Sequence, residues 1–545
     1  THGTERLGGA HQMDLSTLVI ILMAVPLCAC LLMALIPSRA VPRSVFETVH
    51  ILSIASVCAL AVYLVVEVMS SGNSINALGL WFHMDALGSV FVALIGVIGC
   101  LTGFYSLAYV RHDADCGNMN SSQIKQYYSF FSLFIFTMLL VALSNNIIMM
   151  WAAIEATTLS TAFLVGTYNS KLSLEATWKY VIVCTAGVAF GLYGTVLVYA
   201  NAADIMPDPT LAAFWTELLP YASQFDGFLI EIAFVFAVIG FGTKAGLFPM
   251  HTWLPDAHSE APSPVSALLS GVLLKCAMLV IIRFYILTIQ VDGSFFPQTL
   301  MLIVGALSIV VAAFAVYSQD DLKRKLAYSS CENIGVVALC LGFGGPLGVA
   351  AALLHCVMHG FTKALMFCIS GNILMKYGTR DLKKIKGVLR VAPVTGVLMA
   401  IGFIALAGFP PFAMFLSETL TFIAGIVDGY LWLVIIIGLA LTVVIAAFVH
   451  VITSAVMGDA PKQIKKGDVG PLALVPEIAM VCVILWFGVA IPQPVLNGIE
   501  SATAIVLQED TDVLHNAPLF KDLFAATEQA GNQSNADHAS TSLEQ

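Results

Sequence analysis

The chain has 545 residues, 59% hydrophobic and only 11% charged, with a net charge of −10 and a mean hydropathy of +0.90. Soluble domains carry about 25% charged residues, so the composition excludes a soluble enzyme and points to an all-α polytopic membrane protein. The acidic balance sits largely in loops and a C-terminal tail, which excludes a nucleic-acid partner.

Residues 1–13 read as a polar N-terminal extension, with Met13 opening the apolar sequence and no separate cleavable signal peptide. Residues 14–505 carry the transmembrane domain, and residues 506–545 read as a disordered polar tail. An apolar run of about 20 residues is long enough to cross a bilayer as a helix. Hydropathy predicts fourteen such spans, near 14–36, 46–69, 84–109, 127–144, 146–168, 175–201, 227–250, 262–290, 298–318, 324–343, 347–375, 391–425, 429–457 and 472–500. Between spans six and seven, TLAAFWTELLPYA predicts a short interfacial helix. The 12 cysteines form no C-x-x-C pair, so they read as packing residues rather than a disulfide framework or metal knuckle.

The basic residues outside spans and tails follow an alternation. Arg39, Arg43, Arg111, Lys125, Lys171, the cluster Lys323, Arg324 and Lys325, and the richer loops holding Lys376 to Arg390 and Lys462 to Lys466 all fall in odd-numbered loops. The positive-inside rule places those loops in the cytoplasm and both termini on the other side of the inner (plasma) membrane.

Five basic residues fall inside spans: Lys179, Lys244, Lys275, Arg283 and Lys363. Glu155, Glu332, Glu418, His355, His359 and His450 fall there too, and ionisable groups inside a membrane are functional candidates by default. Span seven is interrupted at GFGTKAGLFP around Lys244, and span twelve at LAGFPPFAMFLSE before Glu418. Counting spans 4–8 and 9–13 as two five-helix units puts both breaks in the fourth helix of a unit. An odd number of helices inverts successive units, and paired Gly/Pro-interrupted segments in inverted repeats point to an ion pathway. The proton-translocating core is therefore expected at about residues 127–457.

Glu155 in span five needs a proton or a cation, and Lys244 and Lys179 are the natural partners. Such a pair is either a structural lock or a site where burial disfavours both charges and lets a proton exchange. His355, His359 and Lys363 recur every four residues and share one face of span eleven, over roughly 12 Å. Imidazoles and an amine in a column can hand protons along; a zinc held by the two histidines is the competing reading, but no third ligand lies nearby. Lys275 is mid-span in helix eight. Arg283 reads as a structural, snorkelling residue, and Glu332 and His450 as weaker candidates. His251, Asp256, His258 and Glu260 form a cytoplasmic mouth that either funnels protons or is a solvated loop. The Gly-rich runs are not nucleotide loops, and no flavin, haem or iron–sulfur motif occurs.

The run GFGTKAGLFPMHTWLPDAHSEAPSPVSALLS, together with WAAIEATTLS, LLHCVMHGFTKALMFCISGN and LAGFPPFAMFLSE, resembles the antiporter-like membrane subunits of respiratory complex I and Mrp-type cation/proton antiporters. From Met13 to about residue 505 the chain resembles one branch, the hydrogenase-4 component F subunits of group 4 membrane-bound [NiFe] hydrogenases, including formate hydrogenlyase-type complexes. The resemblance implies about fourteen helices, inverted repeats and discontinuous helices seven and twelve. It implies Glu155 and Lys244 as a couple with Lys179 beside them, Lys275 as the connecting lysine, His355, His359 and Lys363 as the central relay, and Glu418 as the exit. Glutamate there is similar to the M-type subunit of complex I, and the long amphipathic arm of the L-type subunit is not expected.

The expected function is proton translocation within a multisubunit membrane hydrogenase. Partners would be other membrane subunits, lipid, and a peripheral arm carrying the [NiFe] and iron–sulfur clusters, with no cofactor in this chain and protons, or Na⁺, as the ion moved. The alternatives are a cation/proton antiporter, the membrane half of an inorganic-carbon uptake pair, and a non-conducting anchor.

Overall fold

The computed structural model describes residues 2–39, 41–291, 295–512 and 514, with side chains described from Leu15 onward. Long apolar helices dominate, as they must where lipid offers no partner for backbone N–H and C=O groups. The chain opens with α1 (His2–Leu35) and α2 (Arg43–Ser71), then a β-hairpin of β1 (Ile75–Ala77) and β2 (Phe82–Met84) that hydropathy does not predict. Next come α3 (Ala86–Asp115), α4 (Ser121–Leu143), α5 (Ile147–Val165) and α6 (Lys171–Ala203). The predicted interfacial helix is a set of short pieces, α7 (Trp215–Leu218) between 3₁₀ turns at Pro209–Leu211 and Leu219–Gln224.

Around the first predicted break lie α8 (Gly227–Ala245), α9 (Leu254–Glu260) and α10 (Ser263–Leu268), which runs through a π turn (Leu269–Leu273) into α11 (Leu274–Ile289). Then follow α12 (Phe296–Ser318), α13 (Leu322–Phe343) and α14 (Gly345–Tyr377). After the short α15 (Val388–Val391) come α16 (Pro393–Leu406), α17 (Ala413–Val427), α18 (Leu431–Val451), α19 (Pro471–Val489) and α20 (Gln493–Leu507).

Short polar residues set the helix starts. Asp85 accepts from the Gly88 N–H at 2.7 Å at the head of α3, and Asn120 and Gln123 form a reciprocal capping box on α4. Gly72, Gly246 and Gly378 end α2, α8 and α14 in the left-handed region.

Among the described residues, thirteen helices are long and apolar enough to cross a membrane. They match the predicted spans except the twelfth, which is divided between α16 and α17, both too short to cross alone. The predicted span 472–500 is also corrected: Pro492 and Pro494 interrupt it, and α20 follows as a separate helix. The expected tail is helical to Leu507, and its residues 515–545 lie outside the described residues; the expected N-terminal extension continues α1 in its backbone.

An 18-residue stretch within each of Ser263–Ile289 and Gly345–Tyr377 is wholly buried, against 33% of one in Leu431–Val456, so the α10–α11 unit and α14 form the centre of the bundle. With little hydrophobic force between helices in lipid, close contact relies on small residues. At the α6–α8 crossing, a Cβ on Gly240 would lie 2.3 Å from the Gly191 nitrogen, and one on Gly187 2.5 Å from the Thr243 hydroxyl. Gly240→Ala is therefore expected to lower stability by about 1–3 kcal/mol in thermal unfolding of the detergent-solubilised protein; unchanged stability would contradict the crossing.

Candidate functional site

The helix α8 does not kink at Lys244; it stops. Gly246, at φ +81°, turns the chain back so closely that a Cβ would meet Leu254 at 2.4 Å. The carbonyls freed at this end find donors: Leu247 N–H bonds Gly242 at 2.9 Å, and the Trp253 indole bonds Thr243 at 2.8 Å. Lys244 thus sits in the last turn of a helix, where the backbone dipole favours a cation. Its ammonium donates to Thr158 at 2.8 Å and Tyr180 at 2.5 Å, and lies 4.6 Å from the centre of the Tyr180 ring.

Glu155 does not contact Lys244. Half-buried, it accepts from Thr185 at 2.8 Å and acts on the lysine only electrostatically. Nor does Lys179 join them, because its ammonium pairs with Asp256. Asp256 also binds Arg324, while Glu260 binds Arg380 at 2.8 Å. These two carboxylates therefore gather basic groups from α6, α13 and the loop after α14.

His258 is fully buried on α9, so the solvated-loop reading does not hold there; its Nδ1 donates to the Leu254 carbonyl at 2.9 Å. Burial holds it down at about 3, against a smaller opposing effect of that carbonyl and helped by Lys323, Lys363 and Lys275. Burial likewise lowers His251, opposed by the Pro249 backbone, and its ring lies 5.7 Å from that of Phe248.

The π turn before α11 opens the backbone next to Lys275, whose ammonium takes the Ser270 carbonyl at 2.5 Å. A π turn leaves carbonyls displaced from the regular ladder, and here one of them holds a buried cation. Across from it on α14, His355 and His359 stack at 5.9 Å with rings 6° from parallel. His355 contacts Ser417 through Nδ1 and Asn333 through Nε2, both at 3.0 Å. His359 is fully buried and neither ring nitrogen has a protein partner. Lys363 donates to the Leu326 carbonyl at 2.7 Å and to the Ser329 hydroxyl. Lys275 is close enough to act electrostatically on His355, His359 and Lys363.

Glu332, a weaker candidate by sequence, connects two parts of this row. It is held by Asn333 at 2.6 Å and acts electrostatically on Lys363 on one side and Glu418 on the other. Glu418 itself lies against the second break: a Cβ on Gly408, which has φ +70°, would fall 2.0 Å from its carboxylate. His450 faces outward from α18 and joins nothing in the row.

Lys244, Lys275, His355, His359 and Lys363 are all fully buried, and among the described residues none of the three lysines has a carboxylate within 4.0 Å. Neutral oxygens hold the ammonium groups instead. Arg283 is structural, as its sequence position suggests, but by another route. It does not snorkel; it is buried, forms a two-point ion pair with Asp85 at 2.6 and 2.8 Å, and covers the Trp215 ring at 4.3 Å. Asp85 lies 198 residues away in sequence, so no local pattern announces the pair.

A family model described as NADH:quinone oxidoreductase/Mrp antiporter, transmembrane, matches residues 144–445. The hydrogenase-4 component F homolog of Methylacidiphilum infernorum (isolate V4) is 35% identical over 430 residues, covering 78% of this chain and 89% of that protein. Further relatives at 29% identity are matched over about half of their own length. A chain of the archaeal membrane-bound sulfane sulfur reductase superposes with a TM-score of 0.81 at 23% identity, over 90% of this chain and 97% of that one. A chain of the Mrp complex from Dietzia sp. DQ12-45-1b gives 0.79 at 19% identity, with the same coverage. These structures share the fold.

Because His258 stays neutral in the folded protein but takes a proton near 6.5 when unfolded, its contribution to stability is complete above 6.5. It is lost as pH falls from 6.5 toward about 3. Denaturant unfolding across that window is expected to show His258→Gln losing less stability with acid than the wild type. Equal acid sensitivity would mean that His258 is not buried neutral.

Proposed function

The chain belongs to the NADH:quinone oxidoreductase/Mrp antiporter family of membrane subunits, and from that premise we propose that it conducts protons within a multisubunit membrane-bound hydrogenase. The observation that carries the reading is the row of fully buried lysines and histidines in which neutral oxygens, rather than counter-charges, hold the lysines. A permanent, uncompensated ammonium inside a membrane is costly, whereas a group that takes a proton briefly and passes it on avoids most of that cost.

In this reading protons rise from the side of Asp256 and Glu260 toward Lys244 and Glu155. They cross through Lys275 and His359 to Lys363 and leave by way of Glu332 and Glu418. His359 is the mobile step, because nothing in the protein restrains either ring nitrogen. The chain supplies no redox centre; [NiFe] and iron–sulfur clusters would belong to a peripheral arm in partner subunits. The likeness in sequence to a hydrogenase-4 component F homolog supports this assignment. Basic loops on one side support a plasma-membrane orientation with that side in the cytoplasm and the termini opposite. The paired breaks at Gly246 and Gly408 support inverted five-helix units.

A second reading, cation/proton antiport, is favoured by the likeness in fold to an Mrp chain. Lysine ammonium groups offer donors and no acceptor, so the row suits protons better than Na⁺, which needs oxygen ligands.

Lys244→Ala and Lys363→Ala are each expected to leave the purified complex intact and to abolish redox-driven proton movement into vesicles. Wild-type proton movement in both variants would overturn the conducting role. Nickel- and iron–sulfur-bearing subunits should co-purify with the chain; a chain free of them that still exchanges Na⁺ for protons would make the antiporter the correct reading.

A further inference from the structure

A second buried acid lies outside this row. Glu477, in the second turn of α19, is fully buried. One carboxylate oxygen accepts from the Asn372 amide at 2.8 Å; the other, Oε1, has no partner among the described residues. A carboxyl in that position is incomplete in both protonation states. Ionised, Oε1 is a buried charge without a donor; protonated there, it is a hydroxyl without an acceptor. Such a group either carries a standing cost or exchanges a proton.

Its surroundings lead outward. Tyr105 donates to the Asn372 carbonyl oxygen at 3.0 Å. The next ring along α3, Tyr109, lies 6.3 Å from Tyr105 centre to centre. Between α10 and α14, a Cβ on Gly371 would fall 2.3 Å from the Tyr105 hydroxyl and 3.2 Å from that of Ser263, so glycine there leaves room for two converging hydroxyls. The Ser263 hydroxyl is itself buried and interacts with Tyr109. Tyr109 then meets Tyr168 at 2.9 Å, and Tyr168 donates to Asp113 at 2.6 Å. Asp113 borders a cavity of about 700 Å³ that Tyr109, His112, Asn118, Tyr168 and Lys376 also line.

We propose that Glu477 is a proton-exchanging carboxyl reached from the Asp113 vestibule, a second protonatable site separate from the lysine–histidine row. Each tyrosine or serine hydroxyl takes one proton and gives up another, so every phenol stays neutral; the Asn372 amide does not relay, and the last proton passes to Glu477 Oε1 when the Tyr105 hydroxyl turns from the Asn372 oxygen. Asn372 is a positioning residue: its amide fixes one oxygen and leaves the other free to receive the proton. The groups facing the carboxyl are Tyr105 on α3, Cys368 and Asn372 on α14, and Asp468 in the loop before α19. Glu418, the titratable residue of the neighbouring α17, lies instead against Gly408. The proposal deepens the proton-conducting reading by adding a branch, yet its geometry does not require the row to conduct.

The test is infrared difference spectroscopy of the purified complex between about pH 5 and pH 9. The wild type is expected to show a carboxyl C=O band that Glu477→Gln, which keeps the Asn372 contact, removes. Should that variant not assemble, Glu477→Asp shifts the same band and preserves the assignment. Tyr168→Phe and Tyr109→Phe are each expected to slow deuterium exchange of that band by about tenfold or more. Lys244→Ala should leave band and exchange unchanged, so failure of the main row is read separately. No pH-dependent band assignable to Glu477 would overturn the proposal, and so would wild-type exchange in both phenylalanine variants.

Discussion

An ammonium group inside a lipid-embedded bundle must find oxygen, and a regular helix offers little because its carbonyls are already engaged. The bond from Lys275 to the Ser270 carbonyl shows the solution: the helix is widened by one π turn and the released oxygen is turned onto the charge. The same constraint explains where two further irregularities fall. Lys244 sits at the stopped end of α8, and Glu418 sits against the glycine at which α16 stops. Irregular backbone at membrane depth survives only where protein or water satisfies it. The three departures from helix therefore coincide with three of the ionisable residues.

Much of this architecture was legible before any coordinates. Lipid permits few backbone solutions, so hydropathy located the helices, and their glycines and prolines located the two breaks. The four-residue spacing of His355, His359 and Lys363 fixed their common face. What the sequence hid was the partner of each group. Thr158 and Tyr180 look like ordinary packing residues until the fold brings them to Lys244. Asp256 looked like a loop acid and is the anchor of Lys179 and Arg324. Glu477 was overlooked because it lies six residues from the start of its helix, where a carboxylate ordinarily reaches water; only tertiary packing encloses it. The π turn has no composition signature at all.

The arrangement of acids separates two kinds of task. Glu47, Asp85, Asp256 and Glu260 each hold arginine or lysine near an end of the bundle and tie helices together. Glu332 and Glu477 lie buried among amides, and no cation contacts either one. Breaking the Asp85–Arg283 pair, buried on both sides, strands a charge and costs stability. The other pairs of the first kind are partly exposed.

The His355–His359 stack carries one more consequence. The Asn333 amide nitrogen donates to Ser329 and Glu332, so its oxygen is the atom turned toward His355. An amide oxygen only accepts, so Nε2 of His355 carries hydrogen, and the neutral ring is confined to one tautomer in which the Ser417 hydroxyl turns from the Met414 carbonyl to Nδ1. Proton arrival and departure at His355 are thereby restricted to Nδ1, facing Ser417. His359, one turn away and parallel to it, has no such assignment. The pair thus joins a ring with one usable nitrogen to a ring with two, so His355 exchanges protons on the Ser417 side only.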